Sequence, residues 1–406
     1  MRILYHHRTA SKDGQAVHIE EMVNALRELG HEVLVVGPAG ADDGSHGAGM
    51  GGGIGDGQGW VQRLRNALPK AVYELLELGY SVVAYRRLAA AARHFKPDLL
   101  YERYNLFLLA GTWLRRRFGI PMLLEVNAPL VHERSRFGGL GLPRLAAWAE
   151  GAAWRGADAV LPVTRVLGQH VAARGVPAQR ITAIPNGINE AHFALAPTPA
   201  QAKRALGWDD SALVLGFTGF VRDWHGVDRV LRWMATPLAP AQARLLMVGD
   251  GPARAGLEQL ARDLALGDRV RFTGVIDRDQ VPAHVAAFDI ALQPAVVAYA
   301  SPLKLFEYLA LGKAIVAPSV PNLEEVLQDG DNAVLFAADQ PGALEQALHR
   351  LCTDAALRAR VAAGARSSIG RQGLTWRNNA QRVVALAQSL QAGAGVPAAR
   401  ASEVAG

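Results

Sequence analysis

The chain has 406 residues, half of them apolar and a fifth charged, with a formal net charge of +6. This is a globular composition with enough length for two or three cores, and its single cysteine, Cys352, excludes an internal disulfide and any all-cysteine metal site. There is no signal-peptide core at the start and no apolar run of membrane-spanning length, so a cytoplasmic protein is expected, and the positive charge favours phosphates or an anionic lipid surface over nucleic acid.

Met1–Tyr5 reads as a short apolar strand, followed by a polar loop through Gln15. Ala16–Leu29 carries Ile19, Met22, Val23 and Leu26 at helical spacing, stops at Gly30 and leads into a strand at Val33–Val36. Gly14 lies in the loop after the first strand, where a substrate could be held; a plain connection is the alternative. The glycine-rich stretch Gly44–Gly59 cannot build a core. Trp60–Ala92 reads as helical with a break at Pro69. It mixes Arg63, Arg65, Lys70, Arg86 and Arg87 with Trp60, Leu64 and Leu68, and Trp113–Phe118 repeats that mixture. Such segments suit the anionic face of a membrane, or else form the solvated outer sides of core helices.

Strands follow at Asp98–Tyr101, Met122–Val126 and Ala159–Val163. Loops at the carboxyl ends of parallel strands are where open α/β sheets take ligands. Asn127 and His132, with Glu133 beside them, are therefore candidate substrate contacts. Pro185-Asn186-Gly187 is turn chemistry, and Glu190–Gln201 reads as a connector. A second series of strands then begins: Leu213–Thr218, Arg244–Val248, Val270–Thr273, Ile290–Gln293, Ala314–Ala317 and Ala333–Phe336. Two successive alternating series predict two doubly wound, Rossmann-like α/β domains facing one another across a cleft. The expected division is 1–187 and 188–374, then a helix at 375–390 crossing back onto the first domain, and an unstructured tail at 391–406.

The stretch Tyr299–Ser319 reads as loop, helix and strand. Ser301 suits an N-cap, Pro302 the first helical position, and Gly312 the stop. Leu303, Leu305, Phe306, Tyr308, Leu309 and Leu311 make this helix apolar nearly all round, so Lys304 and Glu307 stand out. As a surface pair they are in the less favourable order, and a lysine in the first turn opposes the helix dipole. A bound anion at the free N–H groups would account for it. Phe217–Val227 adds Gly219, Arg222 and His225 at another strand end. Gly249 and Gly251 form part of a dinucleotide fingerprint whose third glycine is misplaced, so a tight turn competes with phosphate binding. Phe272–Ile276 is a further strand end, where the backbone of Gly274 and Val275 could meet a flat base, a role that no side-chain pattern marks.

Taken together, Gly30-His31-Glu32-Val33, Pro185-Asn186-Gly187, Phe217–Val227, Val248–Pro252, Arg271–Gly274 and Ser301–Gly312 resemble the GT-B glycosyltransferases of family 4 over nearly the whole chain. The resemblance implies transfer of a sugar from a nucleotide-sugar donor to a glycan or lipid-linked acceptor. It implies retention at the anomeric carbon, no cofactor or metal, and a role in polysaccharide or glycoconjugate assembly at the inner membrane face. Glu307 matches the second glutamate of the family's Glu-x7-Glu motif, which holds the ribose; the first falls on Tyr299. The family's Gly-Arg-Leu-x3-Lys-Gly motif falls on Gly219–Gly226, with Phe220 and His225 in the arginine and lysine places. Arg222, His225 and Lys304 are then the available phosphate clamp, and Ser301, Pro302 and Leu303 line the donor. The family histidine would fall near Asn127. A nucleotide-sugar epimerase of the same build and an inert sugar-nucleotide binder are the alternatives.

Overall fold

The computed structural model describes residues 1–9, 14–38 and 68–394. The glycine-rich stretch, residues 60–67 and the chain beyond Ala394 lie outside them. In the first half, strands β1 (Arg2–His6), β2 (Glu32–Val36), β3 (Leu99–Arg103), β4 (Met122–Val126) and β5 (Ala159–Pro162) pair in parallel in the order β2-β1-β3-β4-β5. In the second, β6 (Leu213–Thr218), β7 (Ala243–Val248), β8 (Val270–Phe272), β9 (Ile290–Leu292), β10 (Ala314–Ser319) and β11 (Ala333–Ala337) form another parallel sheet, β11-β10-β9-β6-β7-β8. Helices cover both faces, so the central strands are buried on both sides and read as near-continuous apolar runs.

The helices that bear on function are α1 (Gly14–Glu28), α2 (Lys70–Phe95), α3 (Ala110–Phe118), α4 (Leu130–Phe137), α5 (Pro143–Gly156), α6 (Arg165–Ala173), α7 (Leu303–Ala310) and α8 (Trp376–Ala394). Local chemistry sets several of their ends. Thr164 accepts from Leu167 N at the start of α6, and Gly119 closes α3 in the left-handed region at φ 69°. α8 packs along α1, and its Trp376, Ala380, Val383 and Ala387 share a core with Ile3, Tyr5 and Leu99. The last described helix thus belongs to the core of the first sheet. It runs on to Ala394, so the unstructured tail expected from residue 391 is corrected: residues 391–394 complete a helical turn.

The two halves meet through specific polar contacts. Tyr299 OH donates to Glu133 of α4, and Thr164 Oγ1 donates to the Tyr299 carbonyl at 3.0 Å. The Arg165 N–H donates to Glu325 at 2.7 Å. Arg278 pairs with Glu20 at 2.9 Å and with Glu21, both on α1.

Candidate functional site

The site forms where the carboxyl ends of both sheets face one another. α7 starts there, and its first turn points at α1: a Cβ on Gly14 would lie 3.2 Å from Leu303 Cδ1. Gly14 is thereby placed beside the donor-side loop although the two are far apart in sequence. Two helix N-termini converge, each with the positive end of its dipole, and the start of α7 has no side-chain cap.

Lys304 stands at the centre. Its ammonium lies 3.5 Å from the centroid of the Phe217 ring, against Gly219. Among the described residues it has no hydrogen-bonded or salt-bridged partner. Burial brings its pKa down to about 7, with the nearby Glu307 carboxylate pulling the other way. A cation held this way is strengthened by whatever anion arrives. Glu307 accepts from Thr218 Oγ1 at 3.3 Å, and burial raises its pKa against the opposing pull of Lys304. Tyr308 OH accepts from Thr218 N at 2.9 Å, which fixes the helix to the end of β6.

Two expectations around this segment need correction. Ser301 does not cap α7, whose N-cap is Pro302 with no side-chain bond. Instead Ser301 Oγ accepts from Asn186 N at 3.3 Å, and its carbonyl accepts from Asn186 Nδ2 at 2.6 Å. The serine therefore ties the donor loop to the junction turn. His225 is not a third cation. It is buried and stacked on Trp224 at 3.8 Å, and its Nδ1 accepts from Arg222 N at 2.9 Å. Burial, with Lys304 and Arg222 nearby, lowers its pKa to about 3, so the ring is neutral and shapes the loop. Tyr299 carries no charge toward a donor sugar either, because its hydroxyl is committed to Glu133.

Arg222 is exposed beside this loop, its guanidinium 5.3 Å from the centre of the Phe220 ring. Both Arg222 and Lys304 help to lower the His225 pKa. Gly249 and Gly251 serve close approach between loops rather than a tight turn alone. A Cβ on Gly249 would fall 2.4 Å from Gly219 O, and one on Gly251 would fall 2.1 Å from Val221 O. Gly274 pairs with Gly249 in an isolated bridge, and the next residue, Val275, is 77% exposed. That leaves an open backbone edge at the rim of the second sheet.

The facing floor is charged, which the sequence reading did not foresee. Glu125, at the end of β4, accepts from Tyr101 OH at 2.8 Å, from Asn127 Nδ2 at 2.5 Å and from Arg103, and lies 3.0 Å from His18 Nε2. Burial alone would raise its pKa, but His18 and Arg103 hold it well below the usual carboxylate range. His6 Nδ1 meets Glu102 at 2.5 Å next to it. Asn127 is thus fixed to the floor at the strand end. His132 is not brought to it: its exposed ring lies on α4, 6.0 Å from that of His170 on α6, and makes no hydrogen bond among the described residues. The missed residues that bear on the site are Thr218, Glu125, Arg103 and Arg278. Only Thr218 carried a sequence signal, being the last strand residue before Gly219.

The charge state of Lys304 gives a test. A diphosphate beside it favours the ammonium, so binding takes up a proton above pH 7 and none well below it. The affinity for a free nucleoside diphosphate should fall by about tenfold per pH unit above 7, up to the raised pKa of the complex. Calorimetric titration across pH measures this. A wild-type affinity that is flat from pH 7 upward, or a Lys304→Met variant that keeps the slope, removes Lys304 from the site.

Comparison with known proteins identifies the family and the fold. Residues 13–187 match the family described as Glycosyl transferase 4-like domain, and residues 212–354 match Glycosyl transferases group 1. The 2-deoxystreptamine N-acetyl-D-glucosaminyltransferase of Streptomyces fradiae is 28% identical over 331 residues, covering 77% of this chain and 78% of its own. Among solved structures, sucrose-phosphate synthase from Thermosynechococcus elongatus superposes with a TM-score of 0.75 at 21% identity, over 97% of this chain and all of that one. The Anabaena protein HepE in complex with UDP gives 0.74 at 17% identity, over 96% of this chain and 100% of its own.

Proposed function

The chain belongs to the group 1 glycosyltransferases of the GT-B fold, and on that premise we propose that it moves a sugar from a nucleoside diphosphate donor, seated on the second sheet, to a glycan or lipid-linked acceptor seated over the first. The observation that carries this reading is Lys304: a half-buried ammonium without a salt-bridged partner among the described residues, in the first turn of a helix and packed against Gly219 at the end of β6. HepE, which shares the fold and has UDP in its structure, supports a nucleotide-linked donor.

In the proposed reaction the bond between the anomeric carbon and the diphosphate oxygen breaks while the acceptor hydroxyl bonds to the same carbon. The proton of that hydroxyl passes to the departing phosphate oxygen. Attack from the face that the diphosphate leaves gives retention. Lys304, Arg222 and the N–H groups of α7 supply charge to the leaving group as it becomes more negative. Glu307 would hold the ribose hydroxyls, and the backbone at Gly274 and Val275 would lie along the base. Neither the epimerase nor the inert-binder reading is favoured, since the relative named above is itself a transferase.

The first experiment is a thermal-shift panel of nucleoside diphosphates and their sugars, because a ligand that binds the native state raises its apparent stability. One base should stand out, and no shift with any of them would count against the reading. Turnover of the matching donor should continue in a chelator. Loss of activity there, restored by magnesium or manganese, would contradict the assignment of the counter-charge to Lys304 and Arg222.

A further inference from the structure

Helix α2 is built inside out over its first half. Its inward side carries Glu74, Glu77 and Ser81, all buried. Glu74 accepts from Gly141 N at 2.8 Å and from Leu142 N at 2.7 Å. Glu77 pairs with Arg134 at 2.5 Å, and Ser81 Oγ donates to Phe107 O at 2.8 Å. The outward side carries Val72, Leu75, Leu76, Val82 and Val83, each 42–54% exposed. With the exposed Gly79 between Leu76 and Val82, these positions follow helical spacing and form one stripe of roughly 16 Å along the helix. Single exposed apolar residues are ordinary; five on one helix face with no charge among them are not.

The same stripe continues through Arg86 and Arg93, both exposed. Arg116 and Arg117 are exposed on α3, which packs against α2. Among the described residues none of these four arginines has an acidic partner; Arg93 and Arg117 lie near the Phe118 ring. Trp148, 53% exposed, stands on α5, whose Ala146 and Ala149 share a small core with Leu78 of α2. An apolar stripe, a tryptophan and unpaired arginines together match what an anionic bilayer surface offers: acyl chains for the leucines and valines, headgroups for the cations and the indole.

We propose that the outward face of α2, from Val72 to Arg93, docks the protein on an anionic lipid bilayer. The face uses none of the donor-site residues, so it stands or falls apart from the transferase reading. The full chain is sedimented with vesicles of phosphatidylcholine alone and of phosphatidylcholine mixed with phosphatidylglycerol. The expected result is co-sedimentation with the anionic vesicles that weakens with salt. Leu75→Glu with Leu76→Glu should cut binding by about tenfold or more, and Arg86→Glu with Arg93→Glu should abolish the preference for phosphatidylglycerol. Both variants should keep the wild-type thermal shift with nucleoside diphosphate, which checks folding. As a readout in the unaltered face, anionic vesicles should shift the indole emission to the blue, a change that Trp148→Phe reduces. Wild type that ignores anionic vesicles at low salt, or variants that bind as it does, overturn the proposal. So does a concentration-dependent dimer that the leucine variant abolishes, because the face would then belong to a second copy.

Discussion

Replacing Lys304 by alanine should lower kcat by about a hundredfold or more, while the donor KM changes much less. The reason lies in when the charge appears. In the donor, the diphosphate shares its terminal oxygen with the sugar; as that bond breaks, negative charge accumulates on the oxygen. A contact that strengthens along this path acts on the transition state more than on the bound donor. The ammonium is preorganised: it sits over Phe217 with no other strong partner among the described residues, so nothing has to be given up when the anion forms. Removing a donor of this kind typically costs on the order of a hundred- to a thousandfold in rate. Arg222→Ala should move kcat in the same direction but by less, since Arg222 is exposed and its charge is screened. Glu307→Gln should act mainly on donor KM, because ribose hydroxyls change little during the reaction. Steady-state kinetics with the donor picked out by the thermal-shift panel decides this. A Lys304→Ala enzyme whose kcat stays within a fewfold of wild type would show that the clamp is elsewhere.

The second large effect is on stability. Glu125→Ala should destabilise the first domain by about 3–5 kcal/mol, because it leaves Arg103 buried without its counter-charge and His18 Nε2 without its partner. For a domain of this size that corresponds to a melting temperature lower by roughly 10 °C. The pH dependence has a defined sign. The Glu125 carboxyl is held well below the usual carboxylate range. Its contribution is therefore fully present above the unfolded carboxylate pKa and is lost as the pH falls through the folded one. Urea unfolding of wild type and Glu125→Gln across acidic pH measures it. If the two lose stability in parallel on acidification, another group sets the acid limit.

The sequence disclosed the architecture because buried parallel strands are apolar runs. Leu213–Thr218 and Ala314–Ser319 need no periodicity to be seen, and the eleven strands among the described residues lie within a residue or two of where the runs place them. Lys304 was legible for the opposite reason, as a cation interrupting an apolar helix. The facing floor was not legible. Arg103 ends β3 and Glu125 is the last residue but one of β4, and both read as ordinary rim charges; only the register that sets Arg103 against Glu125 buries them together. Ser301 has the chemistry of a cap, and propensity assigned it one. What overrides that assignment is Asn186, 115 residues away and adjacent only because the junction turn folds back. His225 read as a positive charge by its residue type, but a buried imidazole next to an ammonium stays neutral. The inverted polarity of α2 depends on Gly141, Leu142 and Arg134 meeting its glutamates, and nothing within the helix announces that.

The most direct test of the central claim compares two ligands on two proteins. Titration calorimetry gives the affinity of wild type and Lys304→Ala for the free nucleoside diphosphate and for the corresponding nucleoside diphosphate sugar. The free diphosphate carries the full charge of the leaving group, so it reports on the contact that the transition state uses. Its affinity should fall by about tenfold or more in the variant, and the affinity of the sugar nucleotide by clearly less. Equal affinities for the free diphosphate in the two proteins would contradict the claim that this helix start holds the leaving group.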